Sequence, residues 1–141
     1  MKLVQRAGSF RLALLVPVVV MLIQGCASVP GQPTTQPRAT LAETGSNARF
    51  EITQDQKVSV STFYSRVIAH GTRWECRGAI PAGDVYRPIN TVFTVESSNV
   101  HEAYLVLKGQ DLVGYYLPVE QTFAAVDKPI PLVFTVVSSQ Q

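Results

Sequence analysis

Short apolar stretches with polar neighbours recur from residue 47 to the end of the chain. Phe50 and Ile52 alternate with polar side chains, and so do Val58 and Val60. A period of two places successive side chains on opposite faces of a β-strand. No window of about ten residues or more has a convincing helical period. The pattern therefore predicts an all-β domain, either a small antiparallel β-sandwich or a barrel.

Turn-forming residues separate the predicted strands. Proline, glycine, asparagine and aspartate favour turns because of their backbone geometry or their short polar side chains. The predicted strands cover residues 50–53, 58–68, 72–78, 91–96, 100–108, 111–117 and 130–137, with a turn at 81–84 and a loop at 119–129.

The clearest local prediction is a hairpin across Gly109 and Gln110. A glycine that opens a two-residue loop fits a type II′ turn, whose twist matches the flanking strands. This loop would pair Lys108 with Asp111, Leu107 with Leu112, Val106 with Val113, Tyr104 with Tyr115 and Ala103 with Tyr116.

Both faces of this hairpin are apolar. One face collects Ala103, Leu105, Leu107, Leu112 and Tyr116, and the other collects Tyr104, Val106, Val113 and Tyr115. A strand with one solvated face would instead alternate apolar with polar residues, so something must cover the second face. Two interpretations stay open at this point. Either residues 119–129 or the preceding tether fold across it, or the face is exposed and binds a partner.

The N-terminal segment has a different character. Lys2, Arg6 and Arg11 precede an uncharged apolar run at residues 12–23, and a small residue follows. This order is typical of a secretory signal peptide. The run of 12 residues is shorter than the roughly 20 that a membrane-spanning helix needs. The segment is therefore expected to direct export rather than to span the membrane.

The end of this segment, LIQGC at residues 22–26, resembles the lipobox of bacterial lipoproteins. The resemblance implies cleavage between Gly25 and Cys26 and attachment of acyl lipid, including palmitate, to Cys26. Two or more acyl chains anchor a protein stably. Ala27 stands where an aspartate would favour inner-membrane retention, so the resemblance implies the periplasmic face of the outer membrane. The alternative is an ordinary signal peptide that is cut after Ala27.

These features divide the chain into three parts. Residues 1–25 form the predicted signal peptide. Residues 26–46 carry the lipidated cysteine and a Pro-, Thr- and Gln-rich stretch, a composition typical of a flexible tether. Residues 47–141 form the predicted all-β domain. Without residues 1–25 the chain has nine Lys and Arg against ten Asp and Glu, a net charge of −1. This balance argues against nucleic acid as a partner.

Cys76 is predicted to be a buried, unpaired cysteine. It alternates with Trp74 and charged neighbours, which places both apolar side chains on the inward face of a strand. Lipidation of Cys26 would leave Cys76 without a partner in the chain. A free cysteine without a nearby base behaves as a small hydrophobic residue.

The sequence contains no motif that predicts catalysis, a metal site or a cofactor. Residues 101–102 begin like a zinc-protease helix, but Leu105 stands where the second histidine would be needed. His70, beside a glycine, is more simply a turn residue. There is no Gly-x-Ser-x-Gly elbow and no phosphate-binding glycine loop. The carboxylates Glu75, Glu96, Glu102 and Glu120 are scattered along the chain.

One short stretch suggests a particular partner. Residues 74–78, WECRG, are similar to the aromatic-x-Cys segment of small envelope lipoproteins that inhibit C-type lysozyme, although the second cysteine of that class is missing. The leading functional hypothesis is a non-catalytic domain that binds or supports an envelope assembly through a protein partner. The alternative is an inhibitor of a cell-wall-degrading enzyme, and an envelope hydrolase is least favoured.

Overall fold

The computed structural model describes residues 36–138. This part of the chain is all-β, which confirms the predicted fold class. Its strands are β1 (Arg49–Ile52), β2 (Gln56–Val60), β3 (Phe63–Ile68), β4 (Arg73–Ile80), β5 (Gly83–Pro88), β6 (Thr94–Glu96), β7 (Val100–Glu102), β8 (Tyr104–Lys108), β9 (Asp111–Leu117), β10 (Thr122–Pro131) and β11 (Phe134–Val137).

Seven strands form one antiparallel sheet in the order β10-β9-β8-β5-β4-β1-β11. The other four strands form two small antiparallel hairpins, β2–β3 and β6–β7. Within residues 36–138 no helix is long and apolar enough to cross a membrane.

Several predicted elements differ from the observed ones. The predicted strand 100–108 is divided into β7 and β8, which belong to different sheets, and the predicted strand 130–137 into the end of β10 and β11. The predicted strand 91–96 begins only at residue 94. A turn divides the predicted strand at 58–68 into β2 and β3.

No part of β5 was predicted as a strand. Val85 and Tyr86 are neighbouring apolar residues that pack into different apolar clusters, so apolar and polar residues do not alternate along this strand. The predicted loop at 119–129 is mostly β10, which tolerates Pro129 and Pro131 because it lies at an edge of the sheet.

The main core lies between one face of the large sheet and the two hairpins. Trp74 and Tyr115 are its largest fully buried side chains. Aromatic rings pack edge to face across it, as Trp74 does with Phe93 at a centroid distance of 5.4 Å. The buried members are Phe50, Ile52, Val58, Val60, Phe63, Ile68, Trp74, Phe93, Val95, Ala103, Leu105, Leu107, Leu112, Tyr115, Leu117, Ala124 and Leu132.

A second, smaller core lies on the opposite face of the sheet. Its fully or partly buried members are Ala39, Leu41, Ile80, Ala82, Val85, Tyr104, Val106, Val113, Tyr116 and Phe123. Two of these, Ala39 and Leu41, come from residues 36–42, which we call the strap. The strap belongs to the folded domain because its apolar side chains alternate with polar ones and reach this core. The predicted tether boundary at residue 46 is therefore wrong for residues 36–42.

Backbone hydrogen bonds fix both ends of the strap. At its start Ala39 N–H donates to the Gln121 carbonyl, and Phe123 N–H donates to the Pro37 carbonyl, at 2.9 and 3.1 Å. At its end Ala42 and Ala79 exchange two bonds of 2.9 and 2.8 Å. The strap thus joins β10 to β4.

The length of the strap shows that the sheet is curved. Its bridges involve Arg38 and Ala42, and four residues span at most about 14 Å when fully extended. The strap pairs with the open side of β10 and with the side of β4 that faces β1. In a flat sheet its two ends would therefore lie six strand spacings apart, about 29 Å. The sheet must therefore curl around the second core, and the strap closes it.

The β8–β9 hairpin forms with the predicted turn but not with the full predicted register. Gly109 has a φ of 67°, the sign that a type II′ turn needs at its first position. Lys108 pairs with Asp111 and Leu107 with Leu112, as predicted. A bulge follows, and beyond it Val106 pairs with Gly114, Leu105 with Tyr115 and Tyr104 with Tyr116. The extra residue moves Tyr115 into the main core and Tyr116 into the second core.

Candidate functional site

The predicted partner surface does not form. Val106 has no exposed area, and the exposed fraction of Tyr115 is 1%. Tyr104 and Val113 are partly buried against the second core. Of the two interpretations, the one in which these four residues form an exposed patch does not hold, because the strap and Phe123 pack on this face and the bulge turns Tyr115 to the other one. Covering within the chain, the other interpretation, is what the structure contains.

The predicted anchor lies outside the described residues. Gly25 and Cys26 both precede residue 36. Cleavage and lipidation at this position therefore stay predictions from the sequence.

A polar cleft of about 420 Å³ lies beside the second core. Its walls come from β4, β5, β7 and β8 and from the loop that follows β5. Its lining residues are Glu75, Arg87, Pro88, Ile89, Asn90, Thr91, Glu102 and Tyr104. This cleft is the candidate functional site.

An ion triad forms one side of the cleft. Arg87 donates to one carboxylate oxygen of Glu75 from Nε at 2.9 Å and from Nη2 at 2.6 Å. Arg49 Nη2 lies 3.5 Å from the other oxygen. Glu75 lies directly opposite Arg49 on one neighbouring strand and Arg87 on the other, so strand register alone brings the three residues together. Only 18% of the Glu75 side chain is exposed, and its two arginine partners more than neutralise its charge.

The same row of the sheet continues with aromatic residues. The β5–β8 register places Tyr104 across from Arg87. Tyr104 in turn pairs with Tyr116 on β9, and the centroids of the two rings are 6.4 Å apart. Burial raises the pKa of Tyr104, and the nearby Glu102 carboxylate adds to the increase, although Arg87 opposes it. The phenol is therefore a neutral hydrogen-bond donor at neutral pH.

The loop after β5 forms the other side of the cleft. Ile89 N–H donates to the Arg73 carbonyl at 2.8 Å, which ties the loop to β4. Asn90 follows with a φ of 58°, a left-handed conformation that asparagine adopts more readily than most residues. The turn leaves Asn90 and Thr91 exposed at the mouth of the cleft.

The polar groups of the cleft differ in how free they are to react or to bind. A general acid or base needs a carboxyl or imidazole that is free to exchange a proton with substrate. Glu75 is already bound by two arginines, and Glu102 is the second carboxyl of the lining, which contains neither histidine nor cysteine. What it offers is a fixed set of donors and acceptors beside an aromatic ring.

The histidines lie elsewhere. His101, on β7, is 2.6 Å through Nδ1 from Glu120 Oε1 and packs edge to face on Phe63. The backbone N–H of His70 donates to Asp55 in a turn region, at 2.7 Å. Across residues 36–138, no group of three or more His, Cys, Asp or Glu is placed to hold a metal ion.

Cys76 is buried and free, as predicted. Its thiol lies 3.6 Å from the Gly78 carbonyl and 3.9 Å from Thr44 Oγ1. The WECRG stretch lies within β4, and Trp74 is 1% exposed. These two side chains are therefore core residues rather than parts of a contact surface.

Sequence reasoning missed the triad and the loop. Glu75 and Arg87 are twelve residues apart, and the intervening turn was expected one or two residues too late. Recognition of the β4–β5 hairpin would have revealed them, because oppositely charged residues face each other across it. Comparison with known proteins finds no matching family model, no similar curated protein and no similar solved structure.

Proposed function

We propose that this protein is a lipid-anchored cell-envelope protein whose β domain binds a partner without catalysing a reaction. The LIQGC segment at residues 22–26 supports the anchor and the outer-membrane location. The observation that carries the binding role is the cleft in which Glu75 is fixed between Arg49 and Arg87. Binding would involve an envelope protein rather than nucleic acid.

The physical basis of this proposal is preorganisation. The triad holds the Arg87 guanidinium in place, and the backbone bond at Ile89 holds the loop. Groups that are already ordered lose little conformational entropy when a partner binds. The cleft also combines one aromatic ring with a few polar groups, a combination common in binding sites. The lining carboxylates of Glu75 and Glu102 are balanced by Arg87 in the lining and by Arg49 behind it, so we expect a partner surface that carries both donors and acceptors.

The anchor is tested by replacing Cys26 with serine. Without the thiol no diacylglycerol can be attached, so the variant should not incorporate labelled palmitate and should leave the membrane fraction. Continued palmitate labelling of the Cys26→Ser protein would show that the lipid is attached elsewhere or that this assignment is wrong.

The binding role is tested by filling the cleft. Thr91 is exposed at its mouth, so Thr91→Trp should block access and leave the triad intact. Ser59→Trp, at an exposed position on β2, is the matched control. The full chain is purified from detergent-solubilised membranes, and its co-purifying proteins are compared. A partner that stays with the Ser59→Trp protein and is lost from the Thr91→Trp protein is the expected result.

Equal retention by both variants would show that the cleft is not the binding site. A co-purifying muramidase would favour the alternative function, inhibition of a wall-degrading enzyme. That outcome is distinguishable from an assembly partner by a lytic assay with and without the purified protein.

A further inference from the structure

The edge of the large sheet at β11 has an unusual surface. Among residues 36–138, β11 pairs only with β1, so its other side is an open edge. Three valines on or beside this strand are substantially exposed: Val133 by 47%, Val136 by 70% and Val137 by 37%. Residues 129–141 contain no charged side chain. Sheet edges are commonly protected from pairing by lysines or other charges, and this edge has none.

The hydrogen bonds of β1 show which backbone groups of β11 face outward. Ile52 N–H donates to the Thr72 carbonyl on the β4 side, whereas Thr53 N–H donates to the Val133 carbonyl on the β11 side. Because these directions alternate along a strand, residues 133, 135 and 137 direct their backbone groups to β1. Phe134 and Val136 therefore direct theirs to the open edge.

We propose that two copies of this chain pair antiparallel through β11, about a twofold axis at Thr135. This register brings the outward-facing groups of Phe134 opposite those of Val136 in the second copy, which gives four backbone hydrogen bonds. The resulting side-chain pairs are Val133 with Val137, Phe134 with Val136, and Thr135 with Thr135. Every apolar residue of the edge then faces another apolar residue.

Other registers fit less well. An axis between two residues would set an outward-facing position opposite an inward-facing one, so the hydrogen bonds could not form. An axis at Val136 would place Phe134 opposite Ser138, and an axis at Phe134 would require Leu132, which is buried in the main core. A twofold axis at Thr135 pairs each of the three exposed valines with an apolar residue of the second copy.

Electrostatics do not oppose this pairing. The nearest charged row contains Glu51, which pairs with Thr135 across β1 and β11. The two copies of Glu51 would be three strand spacings apart, about 14 Å. This separation exceeds the Debye length of about 8 Å at physiological ionic strength. A second copy is therefore a suitable occupant, since an uncharged edge that matches itself needs no complementary partner.

The register is tested by disulfide formation between full-length chains in the membrane. Thr135 would face its own copy at a non-hydrogen-bonded position, with Cα atoms about 4.5 Å apart, which is within disulfide range. Thr135→Cys should therefore form a linked dimer on mild oxidation. Val136→Cys is the matched control, because its copies would be diagonal, about 7–8 Å apart or more, and beyond the range of a disulfide. The buried Cys76 is common to both variants.

The association itself is tested by the mass of the full chain in detergent, measured by light scattering. The unmodified protein and Val119→Lys should have twice the protomer mass, whereas Val136→Lys should have the mass of one protomer. Val119 is 77% exposed in the turn before β10, so it controls for added charge. A monomeric unmodified protein, or a dimeric Val136→Lys protein, would overturn the proposal. Equal cross-linking of Thr135→Cys and Val136→Cys would overturn the register.

Discussion

Replacement of Gly78 by alanine should release the strap from β4. Gly78 has a φ of 144°, and a Cβ at this position would collide with the Ala42 carbonyl oxygen. The clash can be relieved only by separating the Ala42 backbone from β4, because the Cβ is fixed to the main chain at residue 78 and the atom that it meets is a main-chain oxygen. Ala42 and Ala79 would then lose the two hydrogen bonds between them.

The cost follows from two contributions. A non-glycine residue in such a backbone conformation costs about 1–3 kcal/mol. Two backbone hydrogen bonds contribute about 0.5–1.5 kcal/mol each. The free energy of unfolding should therefore fall by about 2–6 kcal/mol. Gly71→Ala is the control, because Gly71 also has a positive φ of 79° but has no atom within 4 Å of the added Cβ.

Both variants can be measured by denaturant unfolding, with amide hydrogen exchange at Ala42 and Ala79. Gly71→Ala should lose about 1–2 kcal/mol and keep both amides protected. In Gly78→Ala the free energy of unfolding should fall by at least about 1 kcal/mol more than in Gly71→Ala. The amides of Ala42 and Ala79 should then exchange without protection. The reasoning is refuted if the two variants are equally stable and the Ala42 amide stays protected in both.

Three further predictions concern buried groups. The Tyr115 hydroxyl is buried and has no hydrogen-bond partner among the described residues. Tyr115→Phe should therefore leave the free energy of unfolding unchanged or raise it by about 1 kcal/mol. A clearly lower free energy of unfolding, measured with urea, would show that the hydroxyl is bonded. Burial is the main cause that raises the pKa values of Tyr86, Tyr104 and Tyr115. Above about pH 10 the unfolded chain releases protons that the folded one keeps, so the free energy of unfolding should fall as pH rises, less steeply in Tyr115→Phe. The Cys76 thiol should react slowly with a thiol reagent in the native Cys26→Ser protein and quickly after unfolding, and fast native labelling would contradict its burial.

The β8–β9 hairpin shows how far sequence reasoning reaches. The turn and the first two cross-strand pairs follow from Gly109 and from the alternation of apolar residues. The remaining register does not, because it depends on a bulge. Gly114 lies so close to the Ala124 carbonyl and the Phe123 ring that a Cβ could not fit. A glycine inside a strand pattern is a known sign of a bulge or of close backbone approach, so the signal was present at residue 114.

The strap and the cleft were beyond prediction for a different reason. Residues 36–42 look like the Pro- and Thr-rich stretch before them, and only two apolar side chains distinguish them. Whether those side chains are buried depends on strands more than thirty residues away. The triad likewise depends on the order β5-β4-β1, which local patterns do not determine. Local chemistry predicted the strands, whereas long-range pairing determines the site.

The strap also constrains how the chain can fold. It precedes all the strands in sequence, yet its first bridge joins Arg38 to Thr122 near the other end of the domain. Contacts of such large sequence separation form late, because the intervening chain must first be ordered. During synthesis the strap would emerge before every strand, and its pairing with β10 could form only after residue 122 had followed. The second core is therefore the last part of the domain to close, and until then the apolar side chains of Val106 and Tyr116 are open to chaperones and to other chains.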